Sequence, residues 1–266
     1  MTAVMEHQLR KIWTLLSVYY AYMLEYRAEL YFWVLANSLP IILMGVWVQA
    51  GQKGNFELSP IEFIRYFLGV FIVRQFTVVW VIWEFEREVV EGQLSFRLLQ
   101  PIDPVWHHVA AHVSERLARL PFALGLIVLC FVIYPDALWY PSIWQILGFT
   151  AWCAIAFALR FLMQYTWALF SFWTERANAL EQFSLLFYLF LSGLIAPLEV
   201  FPPALKQIAL LTPFPYMVHF PAAFLMGLPV NFVQGIIVIL IWGTVFFIFN
   251  RWLWRRGLKE YSGMGA

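Results

Sequence analysis

The chain has 266 residues, of which 62% are hydrophobic and only 12% charged, against roughly 45–50% and about 25% in soluble domains. That balance describes an integral membrane protein, and a net charge of +1 gives no basis for binding nucleic acid. The two cysteines, Cys130 and Cys153, lie inside apolar runs, so no disulfide is expected.

Residues 1–28 read as an interfacial helix. Leu9, Ile12, Trp13, Leu16, Tyr20 and Met23 recur at helical spacing, with most of the polar side chains elsewhere around the helix. Glu6, Arg10, Lys11, Glu25 and Arg27 interrupt the segment too often for the apolar core of a cleavable signal. Leu30 to Gln52 then runs 23 residues without a charge. At about 1.5 Å per residue that crosses a hydrocarbon layer of roughly 30 Å. This is span one, with a kink expected at Pro40. A turn-rich linker, Gly51 to Pro60, leads to span two, Ile61 to Trp83, with Arg74 near its middle.

Residues 84–108, EFEREVVEGQLSFRLLQPIDPVWHH, form a polar island that must sit in water, so the flanking spans enter and leave the bilayer on one side. Val90, Leu94 and Leu98 recur at i, i+4, which predicts a short amphipathic helix from Glu88 to Leu99, ended by Pro101 and Pro104. Such a helix at a membrane surface suits docking of a soluble partner. His107, His108 and His112 follow on what reads as a solvated helix face. No carboxylate or cysteine completes a metal shell there, so no metal is expected.

Val109 to Arg119 continues as an amphipathic helix into the apolar run Leu120 to Tyr134, which makes span three enter the bilayer near Leu117. The linker Pro135 to Pro141 is ringed by Tyr134, Trp139, Tyr140 and Trp144, an aromatic belt at one interface. Span four covers Trp144 to Trp173 and contains Arg160; its length calls for tilt or projection into water. After a polar turn, Thr174 to Gln182, comes span five, Phe183 to Leu198. Pro213, Pro215, Pro221 and Pro229 then exclude a straight helix, so residues 199–230 are expected to be a broken, partly embedded, re-entrant segment packed against protein. Asn231 to Asn250 is span six, and Arg251 to Lys259 a basic tail. The predicted fold is an all-α integral membrane protein of six transmembrane helices in one domain.

Twelve Lys and Arg residues fall on the side of the island and both termini, and three (Lys53, Arg65 and Lys206) on the other. The positive-inside rule puts the termini and the island in the cytoplasm and the proline-rich segment outside, in the cell's inner membrane.

Six spans with cytoplasmic ends, a Glu-x-Gly-type island after span two and a proline-rich external hairpin before span six resemble the membrane subunit of an ABC exporter of the type-2 permease family. In the island the resemblance is carried by Glu91, Gly92, Leu94, Leu98, Leu99, Pro101 and Pro104. Ser192, Gly193, Pro197, Phe201, Pro202, Leu205, Thr212, Pro213 and Tyr216 resemble that family's span-five exit and re-entrant segment. The resemblance covers essentially the whole chain, which departs from the commonest pattern in its long charged N-terminal helix and in Arg74 and Arg160. It implies an export permease that pairs with a second copy or homologue, lies among membrane lipids, and is powered by a separate ATPase holding ATP and Mg. It also implies that Glu88 to Leu99 is the coupling helix seated in a cleft of that ATPase. The sequence agrees on one point independently: no G-x-x-x-x-G-K-[ST] phosphate loop occurs in it, so no cofactor is expected on this chain.

Arg74 and Arg160 each cost about 2.5–3.5 kcal/mol at the bilayer centre, so each should face protein or a watery path. With no acid expected at matching depth, they read either as attracting anionic substrate into the translocation path or as bonding helix-end carbonyls and a partner subunit. Two other function classes remain. A secondary transporter or channel would place acids within the spans, yet those here lie near span ends or in loops. An intramembrane enzyme would need a nucleophile and a base, for which Ser192 and His219 are the available pair.

Overall fold

The computed structural model of the chain describes residues 2–54 and 56–261, with the backbone alone for residues 2–9 and 27. All regular elements among the described residues are helical, as a lipid-embedded chain without a closed barrel requires. In chain order they are α1 (Thr2–Glu25), α2 (Arg27–Ala36), α3 (Leu39–Lys53), α4 (Pro60–Thr77), α5 (Val81–Val90), α6 (Leu94–Leu98), α7 (Pro104–Ile133), α8 (Ile143–Ala168), α9 (Asn178–Leu191), α10 (Pro203–Leu211), α11 (Phe214–Met217), α12 (His219–Met226) and α13 (Phe232–Glu260). Single 3-10 turns fill Pro135–Ala137, Leu169–Phe172 and Leu198–Val200.

Five segments among the described residues are long and apolar enough to cross a membrane: Ala28–Lys53, Pro60–Val90, Pro104–Ile133, Ile143–Phe172 and Phe232–Glu260. The expected span five is shorter. Helix α9 has 14 residues, which reach about 21 Å, and the chain leaves helical geometry at Ser192 and Gly193. The basic tail expected after Asn250 is instead the last turns of α13.

Helix α4 is the axis of the bundle. Most of the Pro60–Val90 segment is buried inside the protein, whereas the other four are largely open to their surroundings. Phe63, Phe67, Phe71, Met217 and Ala222 build the core around it, and α3, α7, α8 and α12 all pack on it. Capping boxes start two helices at places the sequence marks: Ser59 with Glu62 at α4, and Ser142 with Gln145 at α8.

The spans are interrupted at two points. Span one breaks at Asn37–Ser38, and Pro40 sits in the first turn of α3, where its missing N–H leaves no bond unmade. The kink expected at Pro40 therefore begins just before it. Span two, expected to run unbroken from Ile61 to Trp83, breaks at Val78–Trp80. The Arg116 guanidinium on α7 donates to the carbonyls of Phe76 and Val78, both at 2.6 Å, and to that of His112. The Trp80 N–H donates to His112 Nε2 at 3.2 Å. The freed backbone groups are thus satisfied by side chains of a neighbouring helix, the condition for irregular backbone at membrane depth.

Residues 199–230 are broken as expected, into α10, α11 and α12; α11 and α12 are covered by protein, whereas α10 buries Ala209 and leaves Leu205, Ile208 and Leu211 exposed. Trp152 stacks on Phe220 with centroids 4.0 Å apart and donates to the Tyr216 carbonyl at 3.0 Å. Gly193 turns the chain into this region with φ +85°, and a Cβ there would lie 2.6 Å from the Tyr66 hydroxyl and 2.7 Å from His219 Cβ. Gly193→Ala should lower stability by roughly 1–2 kcal/mol from the left-handed backbone alone, with the steric clash added. Thermal unfolding in detergent checks this, and an unchanged melt would show that the turn relaxes freely.

Candidate docking surface

The island does not form one helix. Helix α5 packs Val81, Ile82, Phe85 and Val89 into the core and ends at Glu91, because Gly92 adopts φ 73°, a conformation that turns the chain and favours glycine. Helix α6 then starts afresh. The shared face expected for Val90, Leu94 and Leu98 is not formed: Val90 is exposed, whereas Leu94 is fully buried among Phe85, Phe172 and Leu253. Leu94 is an anchor for α6 and is not available to a partner.

Other apolar side chains remain outside. Phe96 is 72% and Leu99 84% exposed, with Leu98 half-exposed beside them. Glu91 and Pro101 are exposed on the same projection, while Pro104 is buried at the start of α7, where the Asp103 carboxylate caps the helix by accepting from the Val105 N–H at 3.0 Å. The projection is held from behind. Arg97 Nη2 lies 2.7 Å from Glu88 Oε1. Its Nη1 donates to the Tyr19 hydroxyl at 3.3 Å, which ties α6 to α1. Burial lowers the Arg97 pKa, but the Tyr19 hydrogen bond and the Glu88 charge outweigh it, and the net shift is upward from the ordinary arginine value. Between α1 and α6 runs a groove of about 840 Å³ lined in part by Leu15, Val18, Phe96 and Ile102.

The histidines do not form the solvated face expected of them. His108 and His112 are buried. His108 lies between two carboxylates, with Nδ1 3.3 Å from Glu84 Oε2 and Nε2 3.4 Å from Glu88 Oε2. His112 donates from Nδ1 to the His108 carbonyl at 2.8 Å and accepts at Nε2 from Trp80. They face inward toward α5 and α8, with Phe85 and Tyr165 against His108 and Phe161 against His112. No group of His, Cys, Asp and Glu among the described residues is arranged to hold a metal.

Arg74 and Arg160 both face protein. Arg74 Nη2 donates to Asn37 Oδ1 at 2.8 Å. Arg160 lies 3.8 Å over the Tyr188 ring, with Nη2 3.9 Å from Glu181 Oε1. That carboxylate is buried and also accepts from Gln164 Nε2 at 2.7 Å. The expectation that no acid lies at the depth of the arginines therefore fails for Arg160, since α9 begins at Asn178 and carries Glu181 inward, whereas the partner of Arg74 is the Asn37 amide.

At the other end of the bundle, Ser192 and His219 are neighbours through backbone, the Ser192 carbonyl accepting from the His219 N–H at 3.0 Å. The Ser192 hydroxyl accepts from the Leu194 N–H, and His219 Nδ1 pairs with the Tyr66 hydroxyl at 3.1 Å. They form no nucleophile–base pair. Pro197 and Pro213 are buried at the turns of the re-entrant segment, and Pro202 is exposed ahead of α10.

Residues 16–265 match a family model described as ABC-2 family transporter protein. Comparison with curated protein sequences gave no match.

Proposed function

The chain belongs to the ABC-2 family of transporter proteins, and from that premise we propose that it is the membrane subunit of an ATP-driven exporter, coupled through α6 to a separate ATPase that holds ATP and Mg, and completed by a second permease copy or homologue. The observation that carries the coupling role is the apolar tip formed by Phe96, Leu98 and Leu99, presented on a segment flanked by charge and braced by the Arg97–Glu88 pair. Apolar side chains in water gain free energy only when something covers them. Glu91 and Gly92 set the turn that aims the tip, and Leu94 and Pro104 fix its two ends. In this reading Arg74 and Arg160 serve the packing of the bundle. Affinity purification of the tagged permease from its native membrane tests the proposal. A co-purifying protein with a G-x-x-x-x-G-K-[ST] loop and ATP hydrolysis is expected, and a permease that transports without one would overturn it.

The same reading puts the island and both chain ends in the cytoplasm, supported by twelve basic residues against three. Tyr140, 88% exposed at the opposite end, should label from outside intact cells as Tyr140→Cys. Glu91→Cys should label only after permeabilisation. The reverse pattern would invert the topology.

A further inference from the structure

One face of α13 stays open from the apolar middle of the helix to its C-terminal end. Val245, Ile248, Trp252, Arg255, Arg256 and Lys259 recur at steps of three and four residues, and all are exposed. The opposite face is the packed one: Phe246, Asn250, Leu253 and Gly257 are buried, with Gly257 set against the Phe172 ring. Along the open stripe the chemistry changes in order, from apolar at Val245 and Ile248, through aromatic at Trp252, to basic beyond it.

The order matches depth in a bilayer. The 29 residues of α13 begin at Phe232. About 20 of them cross a hydrocarbon layer of roughly 30 Å, which brings the boundary to Trp252, the level that tryptophan favours. Arg255, Arg256 and Lys259 then lie among the headgroups. The Trp252 ring is held between neighbours on its own helix, stacked on Phe249 with centroids 5.9 Å apart and covered by the Arg256 guanidinium 5.9 Å from its centroid. Arg251, one turn earlier, is turned away to Asp103 at 4.0 Å. Glu260 is the only acid in α13, so the basic end sets three cations against one carboxylate.

The charge calls for an anion, and the unbroken run into lipid-facing apolar surface calls for one that is anchored in the bilayer. A soluble acidic protein would reach the cations without touching Val245 and Ile248. A zwitterionic lipid brings its own ammonium beside the phosphate, whereas a lipid of net negative charge leaves the phosphate to the basic side chains.

We propose that the C-terminal end of α13 is a binding site for an anionic phospholipid, with the headgroup phosphate on Arg255, Arg256 and Lys259, the glycerol region against Trp252 and an acyl chain along Ile248 and Val245. The same turns lead into Tyr261, whose hydroxyl pairs with Ser95 Oγ on α6 at 3.1 Å, so a lipid held here steadies the segment that carries the apolar tip. That this steadying reaches an ATPase rests on the coupling reading above; that the lipid binds does not.

The test is native mass spectrometry of the purified permease in detergent with equal amounts of dioleoylphosphatidylglycerol and dioleoylphosphatidylcholine. Adducts of the anionic lipid should exceed those of the zwitterionic one about tenfold. The triple variant Arg255→Gln, Arg256→Gln, Lys259→Gln should bring the ratio close to one. Arg10→Gln with Lys11→Gln and Arg87→Gln, the same loss of charge at other exposed positions, should leave it unchanged. Arg255 has no part in the Trp252 stack, so Arg255→Gln alone, expected to lower the ratio at least twofold, decides the matter if the triple variant fails to fold. An excess of glycerol 3-phosphate should displace nothing. Equal adducts of the two lipids, a ratio that survives in the folded stripe variants, an equal loss in the control variant, or displacement by glycerol 3-phosphate would overturn the proposal. No ATPase takes part, so the outcome stands apart from whether α6 couples to one.

Discussion

Replacing Arg116 by glutamine should destabilise the permease by about 3–6 kcal/mol, the loss of two charge-assisted hydrogen bonds at roughly 1.5–3 kcal/mol each. Arg116 is buried, reaches the carbonyls of Phe76, Val78 and His112, and lies 4.0 Å over the Phe157 ring. Glutamine carries two N–H donors on a shorter stem in place of the planar fork, so the Phe76 and Val78 carbonyls of the α4–α5 break should be left dry. Arg116→Lys should recover only part of the loss, because an ammonium supplies the charge without the fork. Thermal unfolding of the purified variants measures both effects. A glutamine variant that melts with the wild type would mean that water satisfies the break, and that α7 does not hold α4 and α5 together.

The second large effect separates docking from folding. Phe96→Asp with Leu99→Asp should leave the melt unchanged, since both side chains are exposed in the permease itself. If both are buried in an ATPase cleft, their loss removes roughly 3–6 kcal/mol, or two to four powers of ten in affinity, and the ATPase should no longer co-purify. Leu94→Asp should do the opposite. It puts a carboxylate among Phe85, Phe172 and Leu253, where no partner is available, and the permease should fail to accumulate in folded form. A soluble, monodisperse Leu94→Asp protein would contradict the anchoring role. Retention of the ATPase by the double variant would move the docking surface off α6.

Much of this arrangement is legible in the chain because lipid imposes long apolar helices and prolines punctuate them. The capping signals at Ser59 and Ser142, the kink near Pro40 and the broken segment after Glu199 follow from local chemistry. The Val78–Trp80 break does not, since VVWVIW contains no proline, glycine or polar residue. Its cause lies on another helix, in Arg116 and His112. His108, His112 and Arg116 recur at i, i+4, and such a polar stripe suits a solvated face or a buried network equally; the rings of Phe85 on α5 and Phe157, Phe161 and Tyr165 on α8 decide between them. The pairing of Arg160 with Glu181 joins two helices and depends on where α9 starts, which spacing along the chain cannot report. Gly92 is a local sign that Val90 would not share a face with Leu94 and Leu98. Helical periodicity alone conceals it, because one left-handed residue rotates everything after it.

The central claim is that the tip of α6 touches an ATPase, and a photo-crosslinking residue tests that contact directly. Benzoylphenylalanine at position 99, illuminated in native membranes, should yield an adduct with the co-purifying ATPase, and the same residue at position 144, exposed at the opposite end of the bundle, should not. An ATPase that co-purifies yet forms no adduct from position 99, or forms one from position 144 instead, would contradict the account.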